Sequence, residues 1–265
     1  MRCSRRRGFL DRENIGLGKG MRKQVVGGCV LAVVAALAGT WFVSTRAPER
    51  SPGDLHIALV GASIGQDWNL AGWPARVRTT GISAESFAVW QFDKTAAIDE
   101  LLLRPKRPFK LTRTYLKSLF APAPPKADVV ILKECSSYFP GKGAAQRAAF
   151  ETWQQRLSAA GTKVVLATVV PVTATRARAN AGKQEALTAF NDWVREYAAQ
   201  KDLPVLDLDA ALRSGAPGSN LKDEFTSGDG SHLNAAAYAV LDRTLLDTVC
   251  AHKADAACAR VAQNR

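Results

Sequence analysis

Three apolar runs, Leu55 to Val60, Ala127 to Leu132 and Lys163 to Val172, constrain the fold of this chain more than any other feature. Each is nearly continuous in aliphatic residues instead of alternating with polar ones, the pattern of a strand buried on both faces. A strand over Ile82 to Trp90 and a shorter one over Pro204 to Leu208 extend the set. Helical spacing fills the intervals: Thr95 to Leu103, Ala144 to Ala160 through Phe150, Trp153 and Leu157, Ala181 to Ala199, and Leu233 to Val249. Ile64 to Val77 reads as a helix or irregular turn broken by Gly65, Gly72 and Pro74. Apolar strands alternating with helices predict an α/β fold, a three-layer sandwich whose central parallel sheet is covered on both faces.

The first fifty residues have a different character. Val25 to Val43 is a 19-residue stretch without a charge, just long enough to cross a bilayer core. Arg22 and Lys23 precede it, which predicts a cytoplasmic N-terminus and export of the chain beyond Arg46. The organisation expected is a basic tail (1–24), a transmembrane segment or signal sequence (25–43), a linker (44–53), one catalytic-sized domain (54–249) and a C-terminal tail (250–265). A cleaved signal peptide is the alternative to an anchor, with Ala36-Leu37-Ala38 as its small-x-small site. The domain is then extracytoplasmic, and periplasmic in a Gram-negative cell.

A net charge of +12 raises the question of nucleic acid, but residues 1–23 carry eight Arg or Lys against Asp11 and Glu13. Half of the excess thus flanks the apolar segment, and no zinc-finger, RNP-like or stacking pattern accompanies the rest. Nucleic acid is therefore not an expected partner. Residues 101–127 hold Arg104, Lys106, Arg107, Lys110, Arg113, Lys117 and Lys126 with no acid, interleaved with Phe109, Leu111 and Tyr115. That insert reads as a solvated basic face, or as a flap toward an anionic substrate or acidic headgroups. Cys250 and Cys258, eight apart, can bridge in an oxidising compartment or stand as two thiols.

Two short segments 166 residues apart carry the chemistry. Val60-Gly61-Ala62-Ser63 ends the first strand, so the Ser63 hydroxyl emerges at the carboxyl edge of the sheet, where open α/β folds bind ligands. Gly61 is expected to permit a tight turn there. Asp229-Gly230-Ser231-His232 precedes the last helix, and His232 is one of three histidines in the chain. A neutral imidazole takes a seryl proton and returns it to a leaving group, and a carboxylate three residues earlier can orient it through Nδ1. The competing reading makes Asp229 or Ser231 a mere helix cap. No second histidine lies at ligand spacing, so no metal is expected, and nothing calls for a cofactor.

These blocks resemble those of the SGNH, or GDSL-like, hydrolase superfamily over residues 54–249. The match implies a flavodoxin-like fold with Ser63 as nucleophile, His232 as base and Asp229 as its partner. Asn234-Ala235-Ala236-Ala237-Tyr238 is similar to the start of that family's last helix. Ala62 stands where the family has Asp in Gly-Asp-Ser. The middle blocks depart further. The resemblance implies an oxyanion hole built from a glycine after the second strand and an asparagine after the third. Here Trp90-Gln91 follows the second strand, and Lys133-Glu134-Cys135-Ser136-Ser137 follows the third, with Cys135 near the glycine position and Ser137 near the asparagine. Gln91, Lys133, Ser136 and Ser137 are candidate replacement donors, and Cys135 is a pocket-lining or packed thiol. Lys133 and Glu134 can instead form an ion pair at the sheet edge.

The function implied is a serine esterase or deacylase acting through an acyl-enzyme on an ester of an extracytoplasmic glycan or lipid. Two alternatives remain at this point: an envelope acyltransferase, and a non-catalytic SGNH scaffold that binds a glycan or a partner.

Overall fold

The computed structural model describes residues 54–88, 94–102, 127–251 and Cys258. The chain divides into two units, Met1–Arg46 and Ala47–Arg265, and all described residues lie in the second. The predicted membrane segment 25–43, the basic insert over 103–126 and Gln91 lie outside the described residues. Among those described, no helix is long and apolar enough to cross a membrane.

Five strands form one sheet: β1 (Leu55–Gly61), β2 (Ile82–Ala88), β3 (Val129–Lys133), β4 (Lys163–Ala167) and β5 (Val205–Leu206). Their order is β2-β1-β3-β4-β5, and every pairing is parallel. Because side chains alternate across a strand, each apolar run feeds two cores. Ile57, Leu59, Val129, Ile131 and Val165 face one side, and Ala58, Val60, Val130, Leu132, Val164 and Leu166 face the other. The first face is covered by α1 (Ile64–Asp67), α2 (Trp73–Arg76), α7 (Leu208–Leu212) and α8 (Ala235–Ala251). The second is covered by α3 (Lys94–Leu101), α4 (Gly143–Ala159) and α6 (Lys183–Gln200), while the short α5 (Ala174–Arg178) buries none of its residues. The three-layer parallel architecture expected from the sequence is therefore present.

One strand differs from expectation, and the segment left between a helix and an irregular turn takes the broken form. The strand expected to run to Val172 ends at Ala167, although Val169, Val170 and Val172 are all buried. The reason is a change of hydrogen-bond partner. Thr168 still donates to the Leu206 carbonyl, but β5 is only two residues long. Beyond it, the Asn191 side chain on α6 accepts from the Val169 amide at 2.7 Å and donates to the Val169 carbonyl at 2.8 Å. A side-chain amide thus takes the place of a neighbouring strand. Ile64 to Val77 is not one helix but α1, a 3-10 turn over Leu70–Gly72 and α2, with Asn69 in the left-handed region at φ 48°.

That broken segment is tied to the far end of the chain by Asp242 on α8. Its carboxylate accepts from Trp68 Nε1 at 2.7 Å and from Arg76 Nε and Nη2 at 2.7 and 2.9 Å, and its carbonyl accepts from Trp73 Nε1 at 3.1 Å. Asp242 is 6% exposed, so these donors replace its lost hydration. Cys250 at the end of the same helix is bridged to Cys258, which settles the two cysteine readings in favour of a disulfide. Asp242→Ala leaves the Trp68 indole and two guanidinium donors of Arg76 without their acceptor. It should lower unfolding free energy in urea by about 2–3 kcal/mol, Arg76 being partly solvated. An unchanged urea midpoint would show that the tie is dispensable.

Candidate active site

The strand order places a topological switch between β1 and β3, and in open α/β sheets ligands bind at the carboxyl ends of strands at such a point. Ser63 leaves β1 there, and Cys135, Ser136 and Ser137 leave β3. Asp229 and His232 reach the same place from the loop before α8. Ser63, Cys135, Ser136, Ser137, Asp229 and His232 all line one cavity of about 500 Å³, a volume suited to a small molecule or one end of a larger one.

Ser63 occupies a backbone conformation that L-residues rarely adopt, φ 42° and ψ −89°. Such a residue carries roughly 1–3 kcal/mol of strain that surrounding structure must hold. It stands at the N-terminus of α1, with its carbonyl accepting from the Gln66 and Asp67 amides at 2.8 and 3.0 Å, yet its hydroxyl caps nothing. The hydroxyl therefore remains available to the cavity. Gly61 plays a different part from the one expected. The turn's left-handed residue is Ser63, and Gly61 closes β1, where an added Cβ would lie 3.0 Å from Leu59 and 3.3 Å from the Lys133 Cβ. Its missing side chain makes room for Lys133.

Asp229 and His232 form a tight unit. Asp229 Oδ2 meets His232 Nδ1 at 2.5 Å, while Oδ1 accepts from the Ser231 and His232 amides, each at 2.8 Å. Burial pushes the Asp229 carboxyl up, but these hydrogen bonds and the imidazole outweigh it and bring it down to about 2. An ionised carboxylate only accepts, so Nδ1 carries a proton, and in the neutral ring the lone pair lies on Nε2. The loop around this pair is braced. The Thr173 amide donates to the Gly230 carbonyl at 3.0 Å, the Gly230 amide to Thr226 Oγ1 at 3.0 Å, and the Ser227 amide to the His232 carbonyl at 2.9 Å. Gly230 sits at φ 77°, where an added Cβ would lie 2.5 Å from Thr173 Oγ1. The helix-cap reading of Asp229 or Ser231 gives way to Asn234, whose Oδ1 accepts from the Ala237 amide at 3.1 Å at the true start of α8.

Beneath the cavity lies a buried charged cluster. Lys133 is 1% exposed and does not line the cavity; its Nζ donates to the Glu134 carbonyl at 2.8 Å. The expected Lys133–Glu134 side-chain pair is absent, because the Glu134 carboxylate takes Lys94 of α3 instead. Lys94 also lies over the rings of Tyr138 and Trp153, 5.3 and 5.6 Å from their centroids. Burial drives the Lys133 ammonium down to about 8. Burial likewise pushes the Cys135 thiol up, yet the Lys133 charge and the hydroxyls of Ser137 and Ser63 reverse the balance and leave it below its ordinary value. Cys135 Sγ accepts from Ser137 Oγ at 3.1 Å and lies 3.7 Å from Ser63 Oγ. The thiol is thus pocket-lining, as expected from the sequence.

Of the candidate oxyanion donors, Ser136 and Ser137 reach the cavity, Lys133 is turned away, and Gln91 is outside the described residues. Two cavity residues, Arg176 and Lys183, were not singled out from the sequence. The signal for Lys183 was present: it shares a helical stripe with Leu187, Phe190 and Val194, a charge on an otherwise buried face.

Residues 112–240 match the family model described as GDSL-like Lipase/Acylhydrolase family. Over that span, just under half of the chain, the sequence is similar to that family. The matched span includes the Asp229-to-His232 block and the β3 edge, while Ser63 lies before it. Among solved structures, a GDSL-like lipase from Bacteroides thetaiotaomicron is similar at 15% identity and TM-score 0.53, covering 80% of this chain and 94% of that one. A lipase/acylhydrolase from Enterococcus faecalis is similar at 19% identity and TM-score 0.51, covering 72% and 93%. At these identities the likeness speaks to the fold. No curated protein matches the chain in sequence. The match over residues 112–240 supports a serine ester hydrolase.

The influence of the Lys133 charge on Cys135 can be measured. Lys133→Met keeps the volume and removes the charge, so alkylation of the Cys135 peptide by iodoacetamide should require higher pH than in the unmodified protein. An unshifted pH profile would contradict the role given to Lys133.

Proposed function

We propose that Ser63 is the nucleophile of this hydrolase, His232 its general base and then general acid, and Asp229 the group that orients the imidazole. What supports this most is the ionised Asp229 carboxylate on His232 Nδ1, in the cavity that Ser63 lines with a hydroxyl not spent on capping its helix. As Ser63 Oγ bonds to the ester carbonyl carbon, its proton passes to His232 Nε2. The tetrahedral oxyanion collapses, the C–O bond breaks, and that proton goes to the departing alcohol. Water then attacks the acyl-enzyme with the same base, releasing the acid and restoring the Ser63 hydroxyl. Ser63 and His232 make no direct hydrogen bond in the free protein; catalysis requires their approach to about 2.6–3.2 Å, as often happens only with substrate bound. The Ser63 amide and the Ser136 hydroxyl are the proposed oxyanion donors, since the Ser137 hydroxyl is directed at Cys135.

The proposed substrate is an ester of an extracytoplasmic glycan or lipid. Support comes from the basic and apolar N-terminal sequence and from the Cys250–Cys258 bridge, a bond favoured in oxidising compartments. A reporter joined after Pro52 should be active only as an exported enzyme; activity of a cytoplasmic reporter at that junction would reverse the orientation.

The residue assignment is tested by hydrolysis of 4-nitrophenyl butyrate. Ser63→Ala should lower kcat by at least about 10³-fold, and Asp229→Asn by roughly 10²- to 10⁴-fold through the wrong imidazole tautomer, with unfolding midpoints preserved. Ser63→Ala turning over at the original rate would end the assignment.

A further inference from the structure

The cavity holds a buried cation with no partner among the described residues. Lys183, the first residue of α6, is 6% exposed and lines the cavity, and its ammonium makes no hydrogen bond or ion pair among the described residues. A buried ammonium without a counter-charge is costly, and proteins ordinarily supply one from a side chain or a ligand. Here a second cation stands beside it. Arg176, on α5, lines the same cavity with its side chain at the surface, and its guanidinium likewise has no hydrogen bond or ion pair among the described residues. Arg176 is close to the acid–base loop, since a Cβ on Gly230 would lie 3.0 Å from the Arg176 Cβ.

The acids in the cavity do not answer these charges. Both oxygens of Asp229 are engaged by the His232 ring and by two backbone amides. The other, Asp67, is an exposed residue on α1 that forms no ion pair with either cation. Burial lowers the affinity of Lys183 for its proton, and the Arg176 charge lowers it further, while the Cys135 sulfur opposes both. An anion placed between the two cations relieves this repulsion and gives the ammonium the hydrogen bonds it lacks.

We propose that Lys183 and Arg176 form an anion-binding subsite beside Ser63 and His232, so that the ester cleaved here carries a second, negatively charged group. The inference rests on the hydrolase reading for the identity of the reacting bond, and it adds the class of substrate. The charge belongs either to the acyl part or to the alcohol part of the ester. A neutral lipid or simple acetylated alcohol is then a poor substrate beside its carboxylate-bearing isostere.

Two readouts on the full-length protein decide it. The first is kcat/KM for two isosteric pairs: mono-4-nitrophenyl glutarate against 4-nitrophenyl valerate for charge on the acyl side, and 4-acetoxybenzoate against 4-tolyl acetate for charge on the alcohol side. The anionic-over-neutral ratio of at least one pair should fall about 10-fold in Lys183→Met, the weight of one charge-assisted hydrogen bond, and Lys183→Arg should restore it. Arg176→Gln, a change at the surface, should lower the same ratio and serves alone if Lys183→Met does not fold. The second readout is calorimetric binding of glutarate monomethyl ester and of 4-acetoxybenzoate to Ser63→Ala, with and without Lys183→Met or Arg176→Gln. Binding should weaken with either charge removal and with added salt. Because it needs no turnover, it separates the two ideas: an inactive protein that binds these anions through Lys183 sinks the nucleophile assignment and upholds the subsite. Dependence on Lys183 or Arg176 in either readout supports the proposal, and independence from both residues in both readouts overturns it.

Discussion

The site depends on holding two chain segments, 166 residues apart in sequence, against one edge of one sheet. Asp242 supplies the hold. It receives Trp68, Trp73 and Arg76, which come after the Ser63 turn, and it belongs to the helix that begins just after His232. Loss of these hydrogen bonds is small against a domain's total stability, but the tie joins the segment that follows Ser63 to the helix that follows His232. Catalytic groups misplaced by an ångström lose orders of magnitude in rate, so a polar contact remote from the chemistry sets its geometry.

Around that frame the cavity is built from groups kept in costly states. Ser63 is held at positive φ, Lys133 and Lys94 are buried charges, and Cys135 has its thiol depressed by a neighbour. Each has a local compensation: the Ser63 carbonyl receives two helix amides, Lys94 has Glu134 and two aromatic faces, and Lys133 has the Glu134 carbonyl and the space left by Gly61. Lys183 stands apart because its compensation is missing from the described residues. That contrast, between buried cations with partners and one without, distinguishes a ligand-facing charge from a structural one.

Much of the fold was legible because strands buried on both faces leave a simple trace. β1 and β3 read directly as apolar runs, and helices α4, α6 and α8 as stripes at helical spacing. The same signal misled at Val169 to Val172, where hydrophobicity reported burial and could not report that Asn191 had replaced a strand as hydrogen-bond partner. Ser63, Asp229 and His232 were visible as candidates because the chemistry proposed for them needs those residue types at those ends of elements. Gly61 was visible as a glycine but not for its reason, since the close approach of Lys133 arises from pairing between β1 and β3. Lys183 escaped because a lysine on an apolar stripe has two meanings, snorkelling or facing a cavity, and only the packing distinguishes them.

The central claim is that Ser63, and not the neighbouring Cys135 thiol, reacts with the carbonyl. The two side chains lie 3.7 Å apart in one cavity, so substrate loss in variants alone does not separate them cleanly. Exposure of the full-length protein to a fluorophosphonate, followed by peptide mapping, reads the nucleophile itself. The expected result is one phosphonylated residue, Ser63, with labelling retained in Cys135→Ala and greatly slowed in His232→Ala. Modification at Cys135, or labelling of Ser63 at the same rate without His232, would contradict it.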